Sequence, residues 1–334
     1  MAQTYNNTGV LIPEDKLEEV VSNVREQSFA MRVGRRLRDA RSSEQIMSVE
    51  DVVATAGWLG ASGDSKPTTT STWRDVILYI GEIAAISVFH EDVLDDVQDN
   101  GYDLFGSVQA QMEEAIARSF DAAALTGLGA PSNFPTGGII GRAINAGNVV
   151  TESGVLYQDL LGDDGLFAAV EDDGFDVNGV VGKRNLMSRL RGLTDNTGQP
   201  IFQRDLANGQ NVQASTNYRL AGAPVLFPKT VNIAGNAAVT GADNGITAVA
   251  GDWNEFVYSI RKDLTFTIAN TGIVTDSVTG VVHNLFQEDK IALRAVMRAG
   301  FALPNPRRLV DGEYIADGFP FAVLQPTDTS APND

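Results

Sequence analysis

The chain of 334 residues carries 43 acidic and 25 basic side chains, a net charge of −18, and contains no cysteine. The lack of cysteine excludes disulfides, thiolate metal sites and a cysteine nucleophile, and fits a protein made in a reducing cytoplasm. The charge argues against free DNA or RNA as a ligand, because an acidic surface repels polyanions. The negative charge either only keeps the chain soluble or also prevents adhesion where the surface lies near nucleic acid. The length suits two compact lobes, and without a long apolar run or a secretory signal we expect no membrane association.

The N-terminal segment divides into an acidic part and a basic part. In PEDKLEEVVSNVREQSF the apolar residues recur at helical spacing, and Pro13 is a suitable start for a helix. We therefore predict an amphipathic helix, followed by an arginine-rich segment over residues 31–41. The basic residues of that segment are Arg32, Arg35, Arg36, Arg38 and Arg41. They either form a solvated basic face, pair with acids on another copy of the chain, or contact phosphates.

Residues 57–73, GWLGASGDSKPTTTSTW, form a polar segment between Trp58 and Trp73, which we call the tongue. The flanking sequences 49–59 and 72–89 are rich in β-branched and aromatic residues, and each predicts a strand. The two strands would pair as a ribbon with the tongue at its tip. A two-stranded ribbon is only marginally stable alone in water, so it needs a surface to lie on. No neighbouring sequence offers a partner sheet.

The strongest periodic signal of the chain lies in residues 103–127. Apolar side chains recur along one face at Leu104, Val108, Met112, Ile116, Phe120, Ala123 and Ala124. Asp103 is a suitable N-cap and Gly127 a suitable C-terminal stop. We predict a long helix that serves as a spine. The following sequence, GLGAPSNFPTGGIIGR, predicts a hinge.

The second half of the chain predicts a mixed lobe and a return to strands. Residues 151–250 contain a helix in LYQDLLGDDGLFAAVEDDG, a strand and a helix in GVVGKRNLMSRLRGL, a tight turn in DNTGQPIF, and short strands. Residues 251–272 alternate as strands. Residues 284–300 have helical spacing with Leu285, Ile291 and Val296 inward, which predicts a second amphipathic helix. RRLVDGEYIADGFPFAVLQP predicts strands, and a polar tail ends the sequence.

No arrangement of residues typical of catalysis is present in the sequence. The two histidines, His90 and His283, lie far apart, and neither stands in a metal-ligand motif. The tongue is not a phosphate-binding loop, because Lys66 does not follow the second glycine and Pro67 replaces the required serine or threonine. We therefore expect no enzyme activity, cofactor or metal. An arm, a ribbon and a spine that cannot bury themselves within one chain point to a large homo-oligomer.

The predicted segments follow the order of a known family. GVLIPEDKLEEVVSNVREQS resembles its N-terminal arm, residues 49–89 its extended E-loop, and DLFGSVQAQMEEAIARSFDAAALTG with FPTGGI its spine helix and the passage after it. NLMSRLRGLTDNTGQPIF resembles part of its axial A domain, and DWNEFVYSIRKDLTFTI with NLFQEDKIALRAVMRAGFAL the second half of its peripheral P domain. Over nearly its whole length the chain resembles the tailed-bacteriophage major capsid proteins with the Hong Kong 97-type fold.

The resemblance implies an α+β fold whose parts have approximate bounds. The N-terminal arm would take residues 1–45, the E-loop with its flanking strands 46–90, and the first part of the P domain 91–145, including the spine helix over 103–127. The A domain would take 146–250 and 304–325, the rest of the P domain 251–303, and the polar tail 326–334.

The resemblance also implies a function and its partners. Copies of the chain would form hexamers and pentamers of an icosahedral virion shell around double-stranded DNA. Assembly would take place in the host cytoplasm, with a portal and, in some family members, a decoration protein. Scaffolding would either come from a separate protein or not be needed. Two alternatives are an encapsulin-type compartment, which has the same fold but loads an enzyme, and an acidic soluble enzyme with a flexible lid at residues 57–73.

The same resemblance implies roles for individual residues. In this family the E-loop lies across a neighbouring subunit. Trp58 and Trp73 would therefore anchor the base of the ribbon or pack on the neighbour, unless they only cap the ribbon's own packing. The arginines from Arg32 to Arg41 would bridge subunits.

Some family members also join Lys and Asn side chains covalently between subunits. Lys66 is the only lysine placed for this reaction, but Glu288 lies where the acceptor asparagine is expected and Ala295 where the assisting acid is expected. Because the set is incomplete, we predict no crosslinking.

Overall fold

A computed structural model of the protein describes residues 28–52, 54, 56–59, 65–66, 68–92, 104–193, 218–228, 245–276, 279–310, 313–315 and 318–327. The predicted N-terminal helix, Asp103, the turn in DNTGQPIF and nearly all of the polar tail lie outside these residues. Among the helices within these ranges, none is long and apolar enough to cross a membrane.

The described residues form a mixture of helices and strands, as predicted. The helices are α1 (Phe29–Val33), α2 (Leu104–Thr126), α3 (Gly138–Ala146), α4 (Leu156–Leu161), α5 (Leu166–Glu171) and α6 (Arg184–Arg191). The strands of the first half are β1 (Arg35–Arg36), β2 (Glu44–Val52), β3 (Thr72–Tyr79), β4 (Gly81–His90), β5 (Val149–Thr151) and β6 (Gly179–Gly182). The later strands are β7 (Tyr218–Leu220), β8 (Ala223–Leu226), β9 (Ala248–Gly251), β10 (Val257–Ala269), β11 (Ile273–Thr275), β12 (Val282–Asn284), β13 (Lys290–Ala302), β14 (Leu309–Val310), β15 (Glu313–Tyr314) and β16 (Phe321–Gln325).

The spine helix α2 packs against a four-stranded sheet of order β1-β10-β13-β4. The predicted apolar stripe faces this sheet, and its residues Val108, Met112, Ile116 and Phe120 are buried. The Phe120 ring meets the Phe301 ring of β13 edge to face, with 5.9 Å between the ring centres. Each such buried side chain contributes about 1.5–3 kcal/mol to the free energy of unfolding, so the stripe is a major source of stability here.

The spine ends at the predicted stop. Gly127 adopts a left-handed backbone with φ of 71°, and its N–H donates to the Ala123 carbonyl at 3.0 Å. The predicted hinge after it is only partly a hinge, because α3 lies within it. Ile139, Ile140 and Ala143 of α3 are buried against the core. Glycines and prolines around α3 hid this helix in the sequence, and tertiary burial stabilises it.

The helix predicted over residues 284–300 is wrong, since this segment contains most of strand β13. The exposed residues Arg294 and Arg298 lie four apart, which imitates the period of a helix. β13 is the sheet's interior strand between β10 and β4, so most of its other residues are buried on both faces and no alternation marks it as a strand. Pairing with two neighbours overrides the helical propensity of alanine, methionine and arginine.

The single strand predicted over residues 72–89 divides at Ile80 into β3 and β4, which belong to different sheets. The strand predicted over 49–59 begins earlier, at Glu44, and ends at Val52. Among the strands that the structure describes, β2 and β3 pair only with each other, which confirms the predicted ribbon. Gly300 of β13 lies against the backbone of Tyr79 and Ile80, where β3 ends and β4 begins. A Cβ atom at Gly300 would stand 1.9 Å from the Tyr79 carbonyl oxygen.

We expect Gly300→Ala to lower the free energy of unfolding by about 1–3 kcal/mol, because the new methyl group must displace the backbone at Tyr79. Chemical denaturation of the subunit measures this change. Arg298→Ala on the same strand is the control, since it removes only an exposed ion pair with Glu82 and costs about 0–1 kcal/mol. An equal effect of the two substitutions would contradict the close approach at Gly300.

The second lobe contains a six-stranded sheet of order β5-β16-β9-β6-β8-β7. Helices α4, α5 and α6 pack on one face of this sheet, and α3 packs on the other. The helix predicted in LYQDLLGDDGLFAAVEDDG is in fact two helices, α4 and α5, separated by Gly162–Gly165. The strand and helix predicted in GVVGKRNLMSRLRGL are confirmed as β6 and α6.

Candidate subunit-contact surface

The ribbon of β2 and β3 rests with one face on the body of its own chain. Leu78 is fully buried there and packs with Val257 of β10 and Ala302 of β13. Met47 and Val76, which are cross-strand partners, pack against the same cluster. The support that the ribbon requires is thus supplied by residues about 180 to 225 positions away. No inspection of the neighbouring sequence could have found it.

Polar contacts fix the same inner face. The Arg74 guanidinium donates hydrogen bonds to the backbone carbonyls of Pro304 at 3.0 Å and Asn305 at 2.8 Å. The Asp51 carboxylate lies 3.2 Å from the Arg307 guanidinium. The end of the ribbon next to the tongue is therefore tied to residues 304–307, which follow β13.

The opposite face of the ribbon carries three exposed apolar side chains, Ile46, Trp73 and Ile77, which we call the ribbon outer face. The polar side chains of Ser48, Glu50 and Asp75 lie beside them on the same face. Ile46 and Ile77 are direct cross-strand partners. Ile46 is 64% exposed and Trp73 63% exposed, and Trp58 in the tongue is fully exposed. The ribbon in the isolated chain thus packs without burying either tryptophan.

The predicted arginines lie along the outer edge of the four-stranded sheet or beside it. Arg35 and Arg36 form β1, which runs parallel to β10, and the Arg35 N–H donates to the Phe256 carbonyl at 2.9 Å. Arg36 pairs with Asp39 at 2.9 Å. The remaining members of the set, Arg32, Arg38 and Arg41, are also exposed. Among these arginines, Arg32 alone lies before the edge strand β1, in helix α1.

The positions compared with a crosslinking site hold no acceptor amide. The Glu288 carboxylate contacts the Lys290 ammonium and accepts the Asn284 backbone N–H at 3.1 Å. These two hydrogen bonds lower the pKa of Glu288 to about 2, the bond from Lys290 having the larger effect. Ala295 is fully buried in β13 and offers only a methyl group. Lys66 in the tongue is exposed.

We expect boiled particles to run as one band of subunit mass on a denaturing gel, because an ion-paired carboxylate cannot replace the acceptor amide. The control is Lys66→Ala, which should migrate identically. A ladder of subunit multiples that disappears in Lys66→Ala would contradict this prediction.

Sequence reasoning missed a buried acid on the spine. Asp121 of α2 is fully buried and caps α1: its carboxylate accepts the Ser28 hydroxyl at 2.6 Å and the backbone N–H groups of Phe29 at 2.9 Å and Ala30 at 3.0 Å. Burial raises the pKa of Asp121 to about 6, although these hydrogen bonds oppose the shift. Its place between Phe120 and the alanines of the apolar stripe was a signal for such a role.

An exposed hairpin was missed as well. β11 and β12 pair antiparallel, and Ile273, Val282 and Phe286 at this hairpin are exposed. The sequence GIVTDSVTGVVHN alternates β-branched and polar residues around a Thr-Gly turn, which is typical of a hairpin. It lies between the two segments that the sequence analysis assigned.

Similarity to known proteins identifies the family of this chain. The sequence matches the Phage capsid family over residues 8–314. The chain belongs to this family. It is 25% identical to the major capsid protein of Staphylococcus phage 80alpha, over 98% of this chain and 90% of that protein.

Solved structures of phage proteins agree with the family. A chain from Microbacterium phage Oxtober96 is 26% identical, with a TM-score of 0.68 over 98% of this chain and 96% of that one. A chain from Mycobacterium phage Adephagia is 18% identical, with a TM-score of 0.68 over 91% of each chain. This phage capsid protein, a component of the virion, therefore has the predicted α+β Hong Kong 97-type fold.

Proposed function

We propose that this chain is the major capsid protein of a tailed phage, and that its copies form the hexamers and pentamers of an icosahedral shell around double-stranded DNA. The ribbon outer face carries this proposal, because it presents three exposed apolar side chains on an extension that the described part of the chain leaves uncovered. A neighbouring copy in a shell would cover it. Each contact is modest, but many form together, so the closed shell is far tighter than any pair of copies.

Within this proposal each part of the fold takes a role in assembly. The ribbon is the E-loop, α2 with the four-stranded sheet is the P domain, and the six-stranded sheet belongs to the A domain. Trp58, Trp73 and Lys66 reach toward the next copy, and the exposed arginines from Arg32 to Arg41 bridge copies. The net charge of −18 keeps the shell from adhering to the genome. A portal and a separate scaffolding protein would complete assembly in the host cytoplasm, and no residue has a catalytic role.

The size of the particle tests the proposed function. The chain is expressed alone and together with the neighbouring phage gene products, and the products are measured by light scattering and negative-stain microscopy. Rings or shells are expected. A monomer or dimer at all concentrations in both preparations would overturn the proposal. A co-purifying cargo enzyme inside DNA-free shells would favour a compartment instead.

A further inference from the structure

Charge is segregated across the helix-covered face of the six-stranded sheet. The edge strands of this sheet, β5 and β7, are five strand spacings apart, which is about 24 Å. Helix α5 contacts β5, β16 and β9, so α4 and α5 cover the half next to β5. Helix α6 is tied to β7, since the Arg191 guanidinium donates to the Tyr218 hydroxyl at 2.7 Å.

The half next to β5 carries exposed acids, which we call the acidic edge. Its members are Asp163, Asp164, Glu171, Asp172 and Asp176. None of these five pairs with a cation elsewhere in the described ranges. Val155 and Tyr157, at the start of α4, are exposed beside them. Unpaired carboxylates around an exposed aromatic ring suit the approach of arginine side chains.

The half next to β7 carries exposed arginines of α6, and we call Arg184 and Arg191 the basic edge. Arg184 and Arg191 lie seven residues apart and so share one face of α6, whereas Arg189 points elsewhere and pairs with Glu152 at 2.9 Å. The Arg191 guanidinium also lies over the Tyr218 ring, 5.6 Å from its centre, which holds it at the edge strand. Residues 183–193 contain four cations and no acid, in a chain with net charge −18.

We propose that the basic edge of one copy packs against the acidic edge of the next copy around a ring. A head-to-tail contact of this kind joins two different surfaces of the same chain, and it closes into a ring when the rotation between copies divides a full turn. The ring geometry itself comes from the proposed function, because a two-fold contact could also bring the basic edge of each copy onto the acidic edge of the other. Packaged DNA is a poorer partner for the basic edge, because the acidic edge on the same face repels phosphates. This inference rests on the proposed function, since it describes how the A domains of a shell meet.

Charge reversal tests the contact on the full-length chain. One variant carries Arg184→Glu and Arg191→Glu, and the other carries Asp164→Arg and Glu171→Arg. Each variant alone sets like charges across the contact, so we expect a loss of rings and shells of at least tenfold by light scattering. All four side chains are exposed, and thermal unfolding should show that both variants remain folded.

A mixture of the two variants gives a more specific result. Unlike edges then meet only where the two variants alternate, and alternation closes only rings with an even number of members. We expect the mixture to recover hexamers but not pentamers, and therefore to form sheets or tubes rather than closed shells under the electron microscope.

The outcomes separate this inference from the proposed function. Normal shells from either single variant would overturn the inference and leave the proposed function intact. Normal shells that retain less DNA in the arginine variant would show that the basic edge faces the genome. Folded single variants that the mixture fails to rescue would show that these charges do not face each other. A wild-type chain that never assembles, even with the neighbouring gene products, would overturn both.

Discussion

Replacing Ile46 and Ile77 together by threonine is expected to prevent shell assembly while leaving the subunit folded. Both side chains are exposed on the ribbon outer face, so their loss costs the isolated subunit little. Ile46 is 64% and Ile77 40% exposed, so together they leave about one isoleucine side chain to be buried by a neighbour. This burial would contribute about 1.5–3 kcal/mol per contact. Threonine is β-branched and preserves the strand. Sedimentation velocity measures assembly, and denaturant unfolding measures subunit stability.

The matched control is the adjacent cross-strand pair on the inner face. Met47→Thr with Val76→Thr should lower the free energy of unfolding of the subunit itself, because these side chains pack on the cluster around Leu78. The two double variants thus differ only in the face of the ribbon that they alter. Wild-type assembly by the Ile46 and Ile77 variant would show that the ribbon outer face is not a subunit contact.

Removing the Asp121 carboxylate is expected to destabilise the junction between the N-terminal segment and the spine. Asp121→Ala leaves the Ser28 hydroxyl and the N–H groups of Phe29 and Ala30 without their buried acceptor. Each unsatisfied buried donor costs about 1–3 kcal/mol, so a total loss of about 3 kcal/mol or more is expected. Denaturant unfolding measures the loss, and hydrogen exchange at α1 locates it.

The raised pKa of Asp121 adds a dependence on pH. The folded-state pKa is about 6 against an ordinary value of 3.8, so the folded state binds the proton more tightly than the unfolded state. The stability that Asp121 contributes is therefore fully present below about pH 4 and is lost as pH rises through 6. The difference corresponds to about 3 kcal/mol.

The variant Asp121→Asn isolates this effect, because its side chain cannot titrate and retains one acceptor oxygen. Relative to this variant, the wild type should lose free energy of unfolding between pH 4 and pH 7. A difference that stays constant or rises over that range would show that Asp121 is ionised throughout, with its carboxylate stabilised by the cap.

Local patterns in the sequence were sufficient for the elements that have one buried face. The stripe from Val108 to Phe120 predicted α2 because a helix against one sheet must repeat its apolar residues every three to four positions. The sequences that flank the tongue predicted a ribbon because they are rich in β-branched and aromatic residues, which favour strands. The order of these segments then indicated the capsid family and its α+β fold, which the comparisons confirmed.

The tertiary structure determined the features that depend on residues far away in the sequence. β13 is a strand because β10 and β4 flank it, and burial on both faces erased the alternation that marks a strand. Ile80 divides two strands because Gly300 lets the chain cross β13 closely. Asp121 gains its role from Ser28, which is 93 residues away. The spacing of apolar residues along the chain shows which face of a helix or strand is buried. It does not show which other element covers that face.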